Sequence, residues 1–311
     1  MTAGIDEIVA RVAAWRGRQV DVERLAGGLT NANYRVTVEG EPFFVRVPGP
    51  DTGLLAVDRE NELHNTRVAA ATGIGARVVA ALPDSGVIVL EWIDGQTMSN
   101  AAFAGDGWPE RIAASLHRLH RGARFLHDFD MFRLTERYLR VVDERDIPIP
   151  EGYRDRLALL PTIEAALAAV PVPSVPCHND LLAENYLYGG GRLWIVDYEY
   201  SGNNDPAFEL GNTCQELGWN DRQIEQLCAG YFGAATPALL ARMRLNMIMS
   251  DVGWTLWAAI QARISSIDFD FWGWAVERSE RAAAKLDSTA LDGWLRDVRA
   301  ANGPGGEAAR A

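Results

Sequence analysis

The sequence predicts an α+β fold with two lobes, a small five-stranded antiparallel lobe followed by a larger, mostly helical one. Three observations lead to this prediction. The first third of the chain carries short β-rich runs between turn signals, the rest carries long segments of helical periodicity, and 311 residues exceed a typical single domain. We predict lobes over residues 1–94 and 95–301, and a disordered tail over 302–311.

The first lobe is predicted to open with a helix over residues 5–16, where apolar side chains recur at helical spacing. Five β-rich runs follow, and turn residues separate neighbouring runs into an antiparallel meander. A second helix, over residues 57–71, is expected to interrupt them and to end at Gly73. The predicted strands are 20–25, 33–38, 43–47, 77–82 and 87–92.

Long helical patterns dominate the second lobe, with one short β interruption. The interruption is predicted as a loop over 176–180 and a hairpin of strands 186–188 and 192–196, joined by a run of three glycines. The chemically distinctive residues concentrate there. The predicted helices are 108–121, 151–169, 205–217, 236–263 and 270–285.

Composition and charge exclude several classes of protein. The net charge of −12 argues against a general nucleic-acid binder, because phosphate contacts need clustered Lys and Arg. Three cysteines without a CxxC pair indicate neither a disulfide framework nor a zinc site, which favours the cytoplasm. The N-terminus lacks the pattern of a signal peptide, and no apolar run reaches membrane-spanning length, so no membrane insertion is expected.

Residues 178–185, with the sequence HNDLLAEN, carry an Asp and an Asn five positions apart. In phosphoryl transfer a carboxylate accepts the proton of the attacking hydroxyl, and a nearby amide oxygen holds Mg²⁺ beside the phosphates. Asp180 and Asn185 suit these two roles. Asp197 ends the second strand of the hairpin, where another carboxylate can bridge metal and phosphates. The combination predicts magnesium-dependent phosphoryl transfer catalysed by Asp180, Asn185 and Asp197.

Two segments make the family resemblance clear. CHNDLLAENYLY and IVDYEYSGNNDPAFELGN resemble the choline and ethanolamine kinase branch of the aminoglycoside phosphotransferase family, and QARISSIDFDF is similar to its C-terminal stretch. The resemblance covers nearly the whole chain. It implies a protein-kinase-like fold that binds ATP and Mg²⁺ between its lobes.

The resemblance also implies how the first lobe binds ATP. The segment GGLTNANY lies where the family has its phosphate-covering loop, and glycines there let backbone N–H groups approach phosphates. Arg46 stands where most kinases have a lysine, and a buried cation needs a carboxylate, predicted to be Glu62 with Glu60 as the alternative. The end of the fifth strand matches the hinge that faces adenine. The implied nucleotide-binding residues are Gly27, Gly28, Thr30, Asn31, Asn33, Arg46, Glu62, Glu91, Trp92 and Ile93.

The C-terminal half carries an aromatic cluster that the resemblance places in a choline pocket. A quaternary ammonium donates no ordinary hydrogen bond, so aromatic faces and a carboxylate must replace its water. Glu216 would supply the opposing charge, and Glu199 is assigned to the metal or substrate shell. Leu217 and Asp221 depart from the family's aromatic residues, which leaves a wider or more polar pocket open. The predicted substrate residues are Asp180, Glu199, Tyr200, Glu216, Trp254, Trp257, Phe269, Phe271 and Trp274.

These observations predict a small-molecule kinase whose acceptor is an amino alcohol, choline first and ethanolamine or its N-methylated forms second. The first alternative is an aminoglycoside or other small-molecule kinase of the same fold, which would prefer a wide acidic pocket. Alternatives of other classes are a catalytically inactive nucleotide-binding module and a metal-dependent hydrolase; the latter has no need of Arg46, Glu62 and the glycine loop. The sequence leaves a homodimer open.

Overall fold

The N-terminal strands form the predicted five-stranded antiparallel sheet in a computed structural model, which describes residues 4–49 and 53–300. The strands are β1 (Val20–Arg24), β2 (Asn31–Val38), β3 (Glu41–Pro48), β4 (Val78–Leu82) and β5 (Val87–Glu91). Their order across the sheet is β1-β2-β3-β5-β4. Strand β2 begins two residues earlier than predicted, because its pairing with β3 continues to Asn31 opposite Pro48.

Two helices accompany this sheet. Helix α1 (Ile5–Arg11) is shorter than predicted, since Val12 is extended and a 3₁₀ turn follows it, and its buried Ile8 packs with apolar residues of the sheet. Helix α2 (Arg59–Ala71) begins at Asp58, whose carboxylate accepts the backbone N–H groups of residues 60 and 61 at 2.9 and 3.1 Å. Such a cap satisfies donors that a helix start leaves unpaired, so Asp58 sets where α2 begins.

Helices make up most of the second lobe. The helices are α3 (Trp108–His120), α4 (Met131–Glu144), α5 (Tyr153–Arg156), α6 (Leu160–Ala168), α7 (Pro206–Glu216), α8 (Asp221–Phe232), α9 (Pro237–Ile264), α10 (Phe271–Leu286) and α11 (Leu291–Ala300). Helices α4, α8 and α11 were not predicted. The single helix expected over 151–169 is divided by a 3₁₀ turn at Leu157–Leu159, after which Pro161 lies in the first turn of α6. The predicted tail over 302–311 lies outside the described residues.

Within the described residues, five short strands interrupt the helices and bring distant segments together. They are β6 (Gln96–Thr97), β7 (Val175–Cys177), β8 (Tyr186–Gly189), β9 (Arg192–Ile195) and β10 (Gly202–Asn204). The predicted hairpin is present as β8 and β9, joined by β6 in the order β6-β8-β9. The segment expected to be a loop from residue 176 begins instead as strand β7, which pairs with β10 so that Cys177 lies opposite Gly202.

Helix α9 runs through the centre of the second lobe and is buried along most of its 28 residues. A helix that is apolar on most sides packs against several partners at once, and α4, α7, α10 and α11 surround it. Helix α2 is tied to the second lobe by Asn61 and Asn65, whose side-chain amides donate to the Ser201 carbonyl at 2.8 and 3.1 Å. In the described part of the chain, no helix is long and apolar enough to cross a bilayer.

Candidate active site

A cavity of about 780 Å³ lies between the five-stranded sheet and the helices α9 and α10. Residues from the β1–β2 loop, the end of β5, the segments on either side of the β8–β9 hairpin, and α7, α9 and α10 line it. Two of the predicted site residues, Asn31 and Phe271, do not line the cavity. The predicted residues on the wall are Gly27, Gly28, Thr30, Asn33, Arg46, Glu62, Glu91, Trp92, Ile93, Asp180, Asn185, Asp197, Glu199, Tyr200, Glu216, Trp254, Trp257, Phe269 and Trp274.

His178 joins the two segments that carry the predicted catalytic residues. Its Nε2 lies 2.9 Å from the Val196 carbonyl, and its Nδ1 lies 3.3 Å from the backbone N–H of Asp180. Burial lowers the pKa of His178, which favours a neutral ring that donates through Nε2 and accepts through Nδ1. The imidazole therefore fixes Asp180 beside the chain that leads into Asp197.

The backbone at Asn179 and Asp197 is unusual, since their φ angles are +69° and +70°. Side chains other than glycine rarely adopt this left-handed region, although Asn and Asp tolerate it best. The Asn179 amide holds its turn by donating to the carbonyls of Cys177, Tyr200 and Gly202 at 3.2–3.3 Å. The surrounding hydrogen bonds thus maintain a turn that places Asp180 on the cavity wall.

The donor set formed by Asn185 and Asp197 fits a magnesium ion. The Nδ2 of Asn185 donates to the Asp180 carbonyl at 2.7 Å, which leaves the amide oxygen as its remaining polar atom. Among the described residues, Oδ1 of Asp197 is buried without a hydrogen-bond partner. Both side chains line the cavity, and amide and carboxylate oxygens are the ligands that Mg²⁺ prefers.

Four carboxylates, those of Asp180, Asp197, Glu199 and Glu216, line this part of the cavity. Burial, and then the charges of Glu216, Asp197 and Glu199, raise the pKa of Asp180 well above its usual range. Burial and Glu199 raise the pKa of Asp197 to about 7, although Arg46 opposes the rise. Shifts of this kind mark sites that are arranged for proton transfer or for binding cations.

Arg46 pairs with Glu62, as predicted, and belongs to a larger ion cluster. Its Nη1 also lies 3.7 Å from both Asp197 and Glu199. Burial lowers the pKa of Arg46, but the adjacent carboxylates outweigh it and raise the pKa overall. Arg59 was not among the predicted site residues, and its Nη1 contacts Glu62 at 2.8 Å and Glu199 at 3.1 Å. Its position three residues before Glu62 on one helix was the available signal.

We expect Arg46→Met to lower the free energy of unfolding by about 3 kcal/mol. Removing one partner of a buried pair leaves the other charge uncompensated, and Arg59 keeps the loss at the lower end of the measured range. The control is Arg77→Met, which breaks an exposed pair with Glu91 and should cost less than about 1 kcal/mol. Urea unfolding measures both values, and equal losses would contradict the assignment of a buried ion cluster.

The loop between β1 and β2 covers the cavity where the phosphates are predicted to bind. Gly27 and Gly28 have φ angles of +90° and +88°, and a Cβ at Gly28 would lie 2.8 Å from the Asn31 carbonyl oxygen. Only glycine fits there without strain. Gln261 of α9 holds the loop by donating to the Leu29 carbonyl at 2.7 Å.

Asn31 has a supporting position and lies away from the cavity surface. Its side-chain amide donates to Glu199 at 3.0 Å, and its oxygen accepts from Arg59 at 3.0 Å. It therefore orients the ion cluster around Arg46. The Asn31 side chain is buried and does not line the cavity, so the direct nucleotide contact predicted for it stays a prediction.

The residues predicted as an adenine hinge lie at the end of β5. The backbone N–H of Glu91 already donates to the Arg77 carbonyl at 2.9 Å, and its carboxylate accepts the Arg77 N–H at 2.8 Å. The Trp92 ring lies under the Arg35 guanidinium, with the Cζ atom 4.8 Å from the ring centroid. The Glu91 N–H is therefore not a free donor, and the adenine contacts predicted for this segment stay predictions.

An aromatic wall closes the other end of the cavity. Trp257 donates through Nε1 to the Tyr200 hydroxyl at 2.7 Å, and Tyr200 meets Trp254 edge to face at 5.0 Å. Phe271 is buried against Trp257, at 5.9 Å between centroids, so it supports the wall from behind. Leu217 and Asp221, which depart from the family's aromatic residues, do not line the cavity.

Glu216 has a partner that sequence analysis did not anticipate. Arg278 of α10 donates to its Oε2, and Arg281 lies 3.8 Å from its Oε1. Burial raises the pKa of Glu216, and the two guanidinium groups oppose the rise. The signal for Arg278 was its position four residues after Trp274, which places both on one face of a helix.

Comparison with known proteins identifies the family. The phosphotransferase enzyme family (APH) matches residues 21–245, most of the chain. The chain belongs to this family. Its membership confirms the predicted relationship and the phosphotransferase class of enzyme.

Several members of the phosphotransferase family resemble this one over most of their length. Ethanolamine kinase 2 of Mus musculus is 30% identical over 298 residues, covering 85% of this chain and 76% of the relative. A choline/ethanolamine kinase family protein of Mesorhizobium loti has a solved structure with a TM-score of 0.82 and 36% identity, covering 95% and 99% of the two chains. The solved structure of the choline kinase LicA of Streptococcus pneumoniae has a TM-score of 0.79 and 25% identity, covering 91% of this chain and 99% of that one. These structures confirm the predicted fold class.

Proposed function

We propose that this phosphotransferase moves the γ-phosphoryl group of ATP to the hydroxyl of a small amino alcohol. One observation carries the proposal: a single cavity brings Asp180, Asn185 and Asp197 together between a glycine loop and an aromatic wall. The loop suits phosphates, and the wall suits an organic cation. The names of the related ethanolamine and choline kinases support the same acceptor class.

In the proposed reaction, the acceptor oxygen attacks the γ-phosphorus as the bond to the β–γ bridging oxygen breaks, and ADP leaves. The hydroxyl proton passes to a carboxylate oxygen of Asp180. A raised pKa makes Asp180 a better proton acceptor than an ordinary carboxylate, and His178 holds its backbone in place. Positioning and charge stabilisation supply most of the catalysis in such transfers.

Asn185 and Asp197 would hold the magnesium ion, which supplies neutralisation of phosphate charge when bound. Arg46, fixed by Glu62, would position the phosphates under the loop of Gly27 and Gly28. Thr30 and Asn33 line the same end of the cavity, and Trp92 and Ile93 would border adenine. Glu199 is used within the ion cluster, so we assign it to positioning Arg46 and Arg59.

The discriminating experiment is ADP release with MgATP against a panel of ethanolamine, its mono- and dimethyl forms, choline and an aminoglycoside. Turnover of one or more amino alcohols is the expected result, because the acceptor end of the cavity is bounded by aromatic side chains. Turnover of the aminoglycoside alone would replace this proposal by the aminoglycoside alternative. No ADP release with any acceptor would favour the inactive nucleotide-binding alternative.

We also propose that the lobes span residues 1–94 and 95–301. The support is that β5 ends at Glu91, and that β6, which follows, pairs with β8 of the second lobe. Cytoplasmic location, a homodimer and the order of choline before ethanolamine stay predictions. The last of these depends on the polar atoms around Glu216.

A further inference from the structure

The Arg278 guanidinium lies over the ring of Trp274, one of the aromatic side chains predicted to contact the acceptor's cation. Its guanidinium carbon lies 3.4 Å from the Trp274 ring centroid, and the side chain is 1% exposed. A cation over a ring face is the arrangement that an organic ammonium would need there. One face of Trp274 is therefore already used by a cation of the protein itself.

In the part of the chain that the structure describes, only one oxygen of the Glu216 carboxylate is without a hydrogen bond inside the protein. Arg278 binds Oε2 and compensates its charge, which weakens the attraction that a bare carboxylate would exert on a quaternary ammonium. Within the described residues, Oε1 is buried without a hydrogen-bond partner, since the Arg281 guanidinium lies 3.8 Å away, beyond hydrogen-bond distance, and Glu216 lines the cavity. An unpaired buried acceptor is costly, and a donor on the ligand removes that cost.

We propose that the acceptor site selects an ammonium that carries at least one N–H, which donates to Oε1 of Glu216, over a quaternary ammonium. This inference rests on the proposed function, and it reverses the predicted order of choline before ethanolamine. A trimethylated nitrogen has no N–H to donate, so Oε1 still has no hydrogen-bond partner when a quaternary ammonium binds. Sites built to hydrogen-bond a substrate reject analogues that lack the donor, because the buried partner is left unsatisfied.

The test compares kcat/KM for ethanolamine, N-methylethanolamine, N,N-dimethylethanolamine and choline at neutral pH, where the three amines are protonated. The first three retain an N–H and should lie within about tenfold of one another, whereas choline should fall by about 10–100-fold below the dimethyl compound. A kcat/KM that rises steadily from ethanolamine to choline overturns this inference but agrees with the proposed function. Absence of turnover with all four compounds overturns the proposed function itself.

Arg278→Met should raise the ratio of choline to ethanolamine kcat/KM by about tenfold. The substitution exposes the face of the Trp274 ring and removes the cation that compensates the charge of Glu216. An unchanged ratio in a folded variant overturns the role given to Arg278. Glu280→Gln is the matched control, since Glu280 is exposed on the same helix and does not line the cavity.

A second variant keeps the inference testable if Arg278→Met does not fold. Trp274→Leu should leave the ratio of choline to ethanolamine kcat/KM within threefold of the parent, because Arg278 and not the acceptor uses that ring face. A selective loss of choline turnover in this variant would show that the acceptor's methyl groups contact Trp274, and would overturn the inference.

Discussion

Asp180→Asn is expected to lower kcat by about 10²–10⁴-fold, the usual contribution of a positioned general base. The amide cannot accept the hydroxyl proton, while its size and cavity position are conserved. Initial rates of ADP release at saturating MgATP and acceptor measure the effect. The control is Asp155→Asn, an exposed carboxylate of the second lobe, which should retain parental activity.

The same substitution is expected to stabilise the fold at neutral pH. The folded state raises the pKa of Asp180, so between the ordinary aspartate pKa and the folded one the native protein binds more protons than the unfolded chain. Stability from this group therefore falls as pH rises through that window, and an amide removes the loss. Thermal unfolding at pH 7.5 should give a higher Tm for Asp180→Asn. A lower Tm together with lost activity would assign Asp180 to structure and not to chemistry.

Asp197→Asn is expected to lower kcat/KM by on the order of 10²–10³-fold, because it removes a charge that would hold the metal beside the phosphates. Among the described residues, its Oδ1 is a buried oxygen without a hydrogen-bond partner, and the side chain lies on the cavity wall. The concentration of Mg²⁺ that gives half-maximal activity should rise as well. Initial rates across a Mg²⁺ titration measure both effects.

Direct binding separates a metal ligand from a general positioning residue. With Asp197→Asn, calorimetric affinity for MgATP should weaken, whereas affinity for ATP measured with EDTA should change by less than about threefold, since only the metal-dependent contact is lost. Asp106→Asn, at an almost fully exposed carboxylate, is the matched control. Parental magnesium dependence in a folded Asp197→Asn protein would exclude the magnesium assignment.

Residues close in sequence made much of the catalytic site predictable. Asp180 and Asn185 lie within one short segment, and Asp197 follows an apolar strand after a glycine turn, so spacing alone indicated their shared chemistry. The antiparallel sheet was equally visible, because alternating β-rich runs and turns are local signals. Helices α4, α8 and α11 were not predicted, although α4 buries Met131, Tyr138 and Val142 at helical spacing, so its periodicity was a local signal as well.

By itself, the sequence determined the lobes' secondary-structure classes, the phosphotransferase family and the three residues of the proposed chemistry, since these depend on short-range pattern and residue type. Tertiary structure alone decided which charges meet. It placed Arg59 against Glu199, Arg278 against Glu216, and Asn31 behind the cavity wall, through contacts between residues 28 to 168 positions apart. A charge buried in a low-dielectric interior needs a partner, because it has been removed from water. The partner is distant in sequence, so no local pattern predicts which residue it is.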